Sequence, residues 1–376
     1  MDTINIAIIG GGVVGCAIAR SLASRWDDVF LLEALPRLGM LTSTRNSGVI
    51  HSGLYYTPGS LKAKHCVRGN HLTYEFCAAH NVPFRNTGKL VVAQSADHLR
   101  DLEALCANGS ANGVTGIRLI DAPAIRAREP HVQGAYALDV PSTGILSSEE
   151  LVKAYARVAT DRGAQILTNA KVQALDPRND AIRVSSAAGD IQARCVINSA
   201  GLFADEIAAK LGSKLACHRI YPVRGEYCEL VRSKQDWVRG LVYPLPHADA
   251  LSLGAHLTKT LAGGVLIGPT ALYITDKNDY EKGRESIDDF VRYARVLLPD
   301  ITPADLVLAY SGIRPKLTPP GKSPHGHSGK DAPDFIIQRD PDIPRVIHLI
   351  GIESPGLTSA PAIAEHVTEL AAGILA

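Results

Sequence analysis

The first thirty-three residues constrain this chain most. They run Ile4-Asn-Ile-Ala-Ile-Ile-Gly10-Gly-Gly12-Val-Val-Gly15 and close at Glu33. The apolar run over 4–9 predicts a strand covered on both faces. Cys16, Ala19, Leu22 and Ala23 carry a helical period, and 29–32 reads as a second buried strand ending at Glu33. Gly10 permits a tight turn, Gly12 lets a pyrophosphate approach bare backbone, and Gly15 lets helix and strand pack closely. Val13 and Val14 belong to the same cofactor-binding turn, and the helix expected over 15–24 turns its positive end to the phosphates. Glu33 can accept from both ribose hydroxyls. This βαβ outline fits the ADP half of a dinucleotide. The plainer alternative is a glycine-rich turn with no ligand, and the motif does not choose between nicotinamide and flavin.

A chain of 376 residues exceeds one core, so two domains are expected. Its formal net charge is +1 with no basic tract, which argues against nucleic acid as a partner. The seven cysteines are odd in number and irregularly spaced, without C-x-x-C. Neither a disulfide framework nor a metal site is expected, and reduced thiols suit the cytoplasm. Residues 4–19 lack charge, but the stretch is short, holds three consecutive glycines and meets Arg20. No membrane span or signal peptide is expected. Peripheral contact with a membrane surface stays open.

Further along, periodicity predicts helices at 61–79, 97–108, 120–130, 147–162, 204–211, 276–298 and 362–375. Strands are expected at 88–93, 135–140, 165–168, 171–175 and 346–350, with a hairpin at 182–186 and 191–197. Residues 221–273 are strand-rich with aromatic and proline punctuation, which suits an antiparallel sheet. Residues 318–334 read as a loop. The expected fold class is α/β. A Rossmann-like domain is assembled from 1–84, 145–217 and 318–376, and a mixed antiparallel β-sheet domain from 85–144 and 218–317.

Soon after Glu33 comes Thr42-Ser43-Thr44-Arg45-Asn46-Ser47-Gly-Val-Ile-His51-Ser-Gly53. Hydroxyls, an amide and a guanidinium on one strip suit a second pass along a long diphosphate and a ribityl chain. A nicotinamide domain would continue with more βαβ units. A polar surface loop is the alternative.

Four blocks then make a specific pattern. They are Asn46-Ser-Gly-Val-Ile-His51-Ser-Gly-Leu-Tyr-Tyr56 with Pro58-Gly-Ser-Leu-Lys-Ala63, Val196-Ile-Asn-Ser-Ala-Gly201, Leu241-Val-Tyr-Pro-Leu-Pro246 with Leu253-Gly-Ala-His256, and Gly351-Ile-Glu-Ser-Pro-Gly-Leu-Thr358. In these the chain resembles the FAD-dependent D-amino-acid-oxidase-like superfamily and, within it, the branch of L-2-hydroxyglutarate dehydrogenases and oxidases. The resemblance spans nearly the whole chain. It implies FAD as cofactor, held by the glycine turn, by Glu33 and Ala34, and by the strip from Thr42 to Ser47. It places the backbone of Val172 at the adenine, and Ala200 and Gly201 beside the adenine or pyrophosphate. Ser354, Gly356, Leu357 and Thr358 fall at the flavin, where N–H groups at a helix start can stabilise negative charge.

Oxidising a secondary alcohol requires a base for the hydroxyl proton, and a neutral imidazole near its reference pKa of about 6.5 can serve. His51 leads and His256 is second. Arg314, in Tyr310-Ser-Gly-Ile-Arg-Pro315, is expected to clamp a carboxylate bidentately. A dicarboxylate needs a second cation, for which Arg45, Lys259 and Arg224 are candidates. Tyr56, Tyr227 and Tyr243 offer hydroxyls, or are core tyrosines. After the arginine this chain has Pro315-Lys316 where strict L-2-hydroxyglutarate enzymes tend to carry Ala-Gln. The expected reaction is oxidation of a small 2-hydroxy acid, with L-2-hydroxyglutarate foremost and oxygen or a quinone as electron acceptor. An amine or amino-acid oxidase and a non-catalytic dinucleotide-binding sensor are the rival readings.

Overall fold

The computed structural model describes residues 3–178, 180–246, 255–321 and 333–376. Two large sheets face one another across a cavity. In the first, the mostly apolar strand Thr3–Ile9 pairs in parallel with Val29–Leu32 and with Gly189–Asn198. Gln165–Leu167 and Val346–Ile350 extend the parallel run on either side. The antiparallel strands Ile182–Ser186, Val172–Pro177 and Ile336–Arg339 complete eight. The strands come from three separate stretches of chain. Their carboxyl ends bring Gly10, Glu33, Ser199 and Gly351 to one edge, the ligand edge of an open α/β sheet.

The helices Val13–Leu22, Leu61–Ala79 and Gly356–Leu375 cover one face of this sheet. Ile18, Leu22, Phe76, Ile363 and Val367 form one buried cluster there. A Cβ on Gly69 would strike the Thr358 carbonyl, so only glycine lets the second and last of these helices cross so closely. The helix Leu61–Ala79 has its predicted bounds. Ser60 caps its start, and the Asp334 carboxylate accepts from the N–H groups of Leu61 and Lys62.

The second sheet has nine strands, including Lys89–Ala93, Tyr221–Leu230, Leu241–Pro244, His256–Lys259 and Leu306–Lys316. All its pairings are antiparallel except that of Lys89–Ala93 with Leu241–Pro244. Its outer face packs on the helix Ile287–Ala294 through Phe290, Val291 and Leu257.

That helix is a correction, since 276–298 was expected to be helical. The Asp279 carboxylate accepts from the N–H groups of Glu281 and Lys282, and Gly283 takes φ +65°, so a turn forms first. A Ser286–Asp289 capping box then starts a helix of eight residues. The last helix begins earlier than the 362–375 period suggested, at Gly356, and keeps Pro361 inside it. Of the 318–334 loop, 322–332 fall outside the described residues, as do Leu253 and Gly254.

Candidate active site

The cavity between the sheets is built from backbone economy at one end. A Cβ on Gly15 would overlap the Gly10 carbonyl, and one on Gly10 would lie 2.6 Å from the Ser199 oxygen. The turn is therefore as tight as its sequence predicts, with Gly10 at φ +105°. Gly12, Val13 and Val14 open directly onto the cavity. Glu33 braces the turn, its carboxylate accepting from Gly11 N–H at 2.7 Å and Leu35 N–H at 2.8 Å.

The polar strip is pinned against the strand Leu306–Lys316. Thr42 Oγ1 donates to the Ile313 carbonyl and Tyr310 Oη to the Asn46 carbonyl. The Asn46 amide donates to the carbonyls of Thr42 and Ser43, and its oxygen accepts from Gly48 N–H. Ser43 Oγ accepts from Val13 N–H at 2.9 Å, tying strip to helix start. Thr42, Ser43, Arg45, Asn46 and Ser47 face the cavity, whereas Thr44 turns back to the Gly39 carbonyl. Arg45 lies 4.3 Å over the Tyr280 ring.

At the other end the last helix starts at Gly356 and Leu357, beside Ser354 and His51. The His51 backbone is held on both sides. Its N–H donates to Thr358 Oγ1 at 2.9 Å and its carbonyl accepts from Asn70 at 2.9 Å. Its Nε2 lies 3.3 Å from Ser354 Oγ. Across the cavity, His256 stacks face to face on Tyr243, with centroids 3.6 Å apart and planes 4° apart. Burial pushes the Tyr227 and Tyr243 phenols up, so both stay protonated donors. Arg314 lies over Gly225, where a Cβ would sit 2.7 Å from its Nη1, and Nη1 donates to the Thr270 carbonyl at 3.0 Å. The structure thus gathers His51, His256, Arg314, Tyr227 and Tyr243 on one cavity.

Other sequence candidates lie elsewhere. Ala34, Val172, Ala200 and Tyr56 do not line this cavity; Gly201 does. Two candidates for a second cation are corrected. Arg224 is fully buried and spends its donors on Glu226, Asp279 and the carbonyls of Lys282 and Gly283. Lys259 Nζ donates to the Gln235 carbonyl, outside the cavity. In their place stands Lys316, which lines the cavity and was read only as a departure in sequence. It shares the buried Glu353 carboxylate with Lys62, at 3.2 and 3.0 Å. Two ammonium groups on one carboxylate leave a surplus positive charge. Among the described lining residues Arg45, Arg314 and Lys316 are the lysine and arginine side chains, and Glu353 is the acid. The site suits an anion.

A glycine-turn βαβ domain joined at one cavity to a mixed sheet defines a flavin-type oxidoreductase. The chain belongs to the DAO family, described as FAD dependent oxidoreductase, whose model matches residues 5–370. It is 34% identical to a mitochondrial L-2-hydroxyglutarate dehydrogenase of Arabidopsis thaliana, over 97% of this chain and 83% of that one. It is 31% identical to an L-2-hydroxyglutarate dehydrogenase of Indibacter alkaliphilus, over 97% and 98%. Its fold is similar to that of dithionite-reduced L-alpha-glycerophosphate oxidase from Mycoplasma pneumoniae with FAD bound. There the TM-score is 0.87 at 26% identity, covering 99% of this chain and 95% of that one.

The protein is thus an FAD-dependent oxidoreductase, and its residues fit that cofactor. FAD is anionic at the pyrophosphate and, when reduced, at the flavin. The cavity offers a helix start for each, at Val13 and at Gly356. Gly12 leaves bare backbone at the first, where a Cβ would come within 2.9 Å of Ser43 Oγ.

Proposed function

We propose that this enzyme oxidises a small 2-hydroxy acid to the 2-oxo acid, and that the substrate is L-2-hydroxyglutarate. The observation that carries the reading is the convergence of an imidazole, a guanidinium and a helix start on one cavity. The names of the relatives support the choice of acid.

Arg314 binds the carboxylate next to the reacting carbon. Its fixed fork turns the Cα–H toward the ring. The His51 imidazole accepts the hydroxyl proton, and Ser354 Oγ, 3.3 Å from its Nε2, is the polar group beside it that the substrate hydroxyl displaces. His256 and Tyr243 form the facing wall and keep water from the reacting carbon. Bound FAD supplies the hydride acceptor. Glu33, the strip from Thr42 to Ser47, Val172, Ala200 and Gly201 hold its far half in this reading, and Thr358 secures the flavin end through His51.

We read residues 1–84, 145–217 and 318–376 as the FAD domain and 85–144 with 218–317 as the substrate domain. The strand membership of the two large sheets supports the division. We place the protein in the cytoplasm on its seven cysteines, all of them free thiols. No helix among the described residues is long and apolar enough to cross a membrane.

The test is anaerobic mixing of the holoenzyme with L-2-hydroxyglutarate, which should bleach the flavin absorbance. Absence of bleaching with this and other 2-hydroxy acids would overturn the reading. Repeating the oxidation with oxygen and with a quinone identifies the acceptor.

A further inference from the structure

Lys89 has no part in the site described so far, yet it is fully buried. It stands at the start of the strand Lys89–Ala93. Its Nζ meets no hydrogen-bond acceptor among the described residues. Instead it lies 4.3 Å from the centroid of the Tyr55 ring and 4.7 Å from that of Tyr243. Ring faces favour an ammonium over an amine.

Strand order fixes where this charge stands. Leu241–Pro244 is the middle of three adjacent strands, flanked by Lys89–Ala93 and His256–Lys259. Lys89 pairs with Leu241, and Leu241 with Thr258. Side chains two apart share a face. Lys89, Tyr243 and His256 therefore project from the same face, with Tyr243 in the middle. His256 covers Tyr243 from one side, and Lys89 approaches it from the other. Tyr243 and His256 line the cavity, so the ammonium stands one ring behind its wall. The titratable groups around it are Tyr55, Tyr243 and the Cys66 thiol, with no carboxylate paired to it among the described residues. Burial pushes Lys89 down to about 7, and Cys66 opposes that shift. Below about pH 7 the ammonium form therefore prevails, and a buried charge without a counter-ion acts through a low-dielectric medium and reaches further than one in water.

We propose that Lys89 is a specificity-determining residue, which acts through the Tyr243 ring to make the cavity favour a dicarboxylate over a monocarboxylate. Arg314 satisfies the first carboxylate of either ligand. The field of Lys89 adds to the binding of the second. The inference rests on the reading above for its choice of dicarboxylate, but the test uses ligands that are not oxidised.

The holoenzyme is titrated at pH 6, where Lys89 is charged, with glutarate and, separately, with butyrate, and the perturbation of the flavin spectrum gives each Kd. Lys89→Met and Lys89→Gln are titrated alongside, and their flavin content and melting temperature are recorded. The wild type should prefer glutarate. Both variants should weaken glutarate by about tenfold and butyrate by less than about twofold, given one lost charge in a partly screened interior. Lys89→Arg, which keeps the charge, should restore the preference. Equal losses for both ligands, or none for either, would overturn the proposal. Failure of both neutral variants to retain FAD would also overturn it, assigning Lys89 to the fold. An enzyme that left L-2-hydroxyglutarate unoxidised would still report the two Kd values, so the two ideas fail separately.

Discussion

Around Arg224 and around Glu353 the chain buries ions of the same kinds, and it closes the two clusters differently. Arg224 and Glu226 are both fully buried, 2.8 Å apart. Asp279 and two carbonyls take the other guanidinium donors. The Glu226 carboxylate also accepts from Glu285 N–H and lies 3.8 Å from Arg284. Arg224 has no donor left for a ligand, and the cluster straps the turn before Ile287–Ala294 to the sheet. Around Glu353 one carboxylate serves Lys62 and Lys316, and Lys316 borders the cavity. A saturated cluster holds structure, while a cluster with surplus charge lends potential to its surroundings.

The largest expected effect breaks the saturated cluster. Arg224→Met strands Glu226 in the interior and should lower stability by about 3–5 kcal/mol. Denaturant unfolding of the holoenzyme measures it. Were Arg224 a substrate cation after all, KM would rise with stability unchanged, and the contrast would collapse.

His51 probes the other side of the comparison, where side chains serve chemistry rather than the fold. His51→Ala should lower kcat by about 100-fold, the low end for a lost general base, with flavin content kept. Stopped-flow reduction of the flavin reads this directly. A rate that survives would favour an amine oxidation, which needs no protein base.

Lys316→Met tests the surplus charge itself. Glu353 keeps Lys62 as its partner, so no acid is stranded, and the stability loss should stay below about 1 kcal/mol. KM should rise about tenfold as the cavity loses one positive charge at close range. A stability loss as large as that of Arg224→Met would show that the two clusters are the same device.

The sequence made the first half of this picture legible and concealed the second. The glycine turn, Glu33 and the strip to His51 are local, so their spacing carries their geometry. The helix Leu61–Ala79 was legible for the same reason, with its cap and period both in one stretch. Lys62, Lys316 and Glu353 lie far apart in sequence and meet only where the start of Leu61–Ala79, the end of Leu306–Lys316 and the turn before the last helix come together. Arg224 carries no mark of burial in sequence, because all its partners but Glu226 come from the turn at 279–283. That turn was itself hidden, since its residues fit a helical period until Asp279 and Gly283 intervene. Lys89 looks like the polar edge of a strand, and only the order of three strands puts it behind Tyr243.

The smallest effect concerns a half-buried histidine whose ring pairs with a second histidine. His65 of Leu61–Ala79 meets His366 of the last helix, Nε2 to Nδ1 at 3.2 Å, with the rings stacked at 5.2 Å. Burial and then the neighbouring His366 hold His65 down, from 6.5 to about 4. The sign follows from proton counting. Between those values the unfolded chain binds a proton that the folded chain refuses, so stability is full above about pH 6.5 and falls as pH drops toward 4. The site is partly exposed, so the loss should be about 1 kcal/mol rather than the full linkage value. His65→Gln should remove that part of the acid slope while leaving stability at pH 8 nearly unchanged. The measurement is the unfolding free energy of both proteins from pH 8 to pH 4. Parallel curves would mean that His65 finds a counter-charge in the fold, and would place it with Lys62 and Lys316 rather than apart from them.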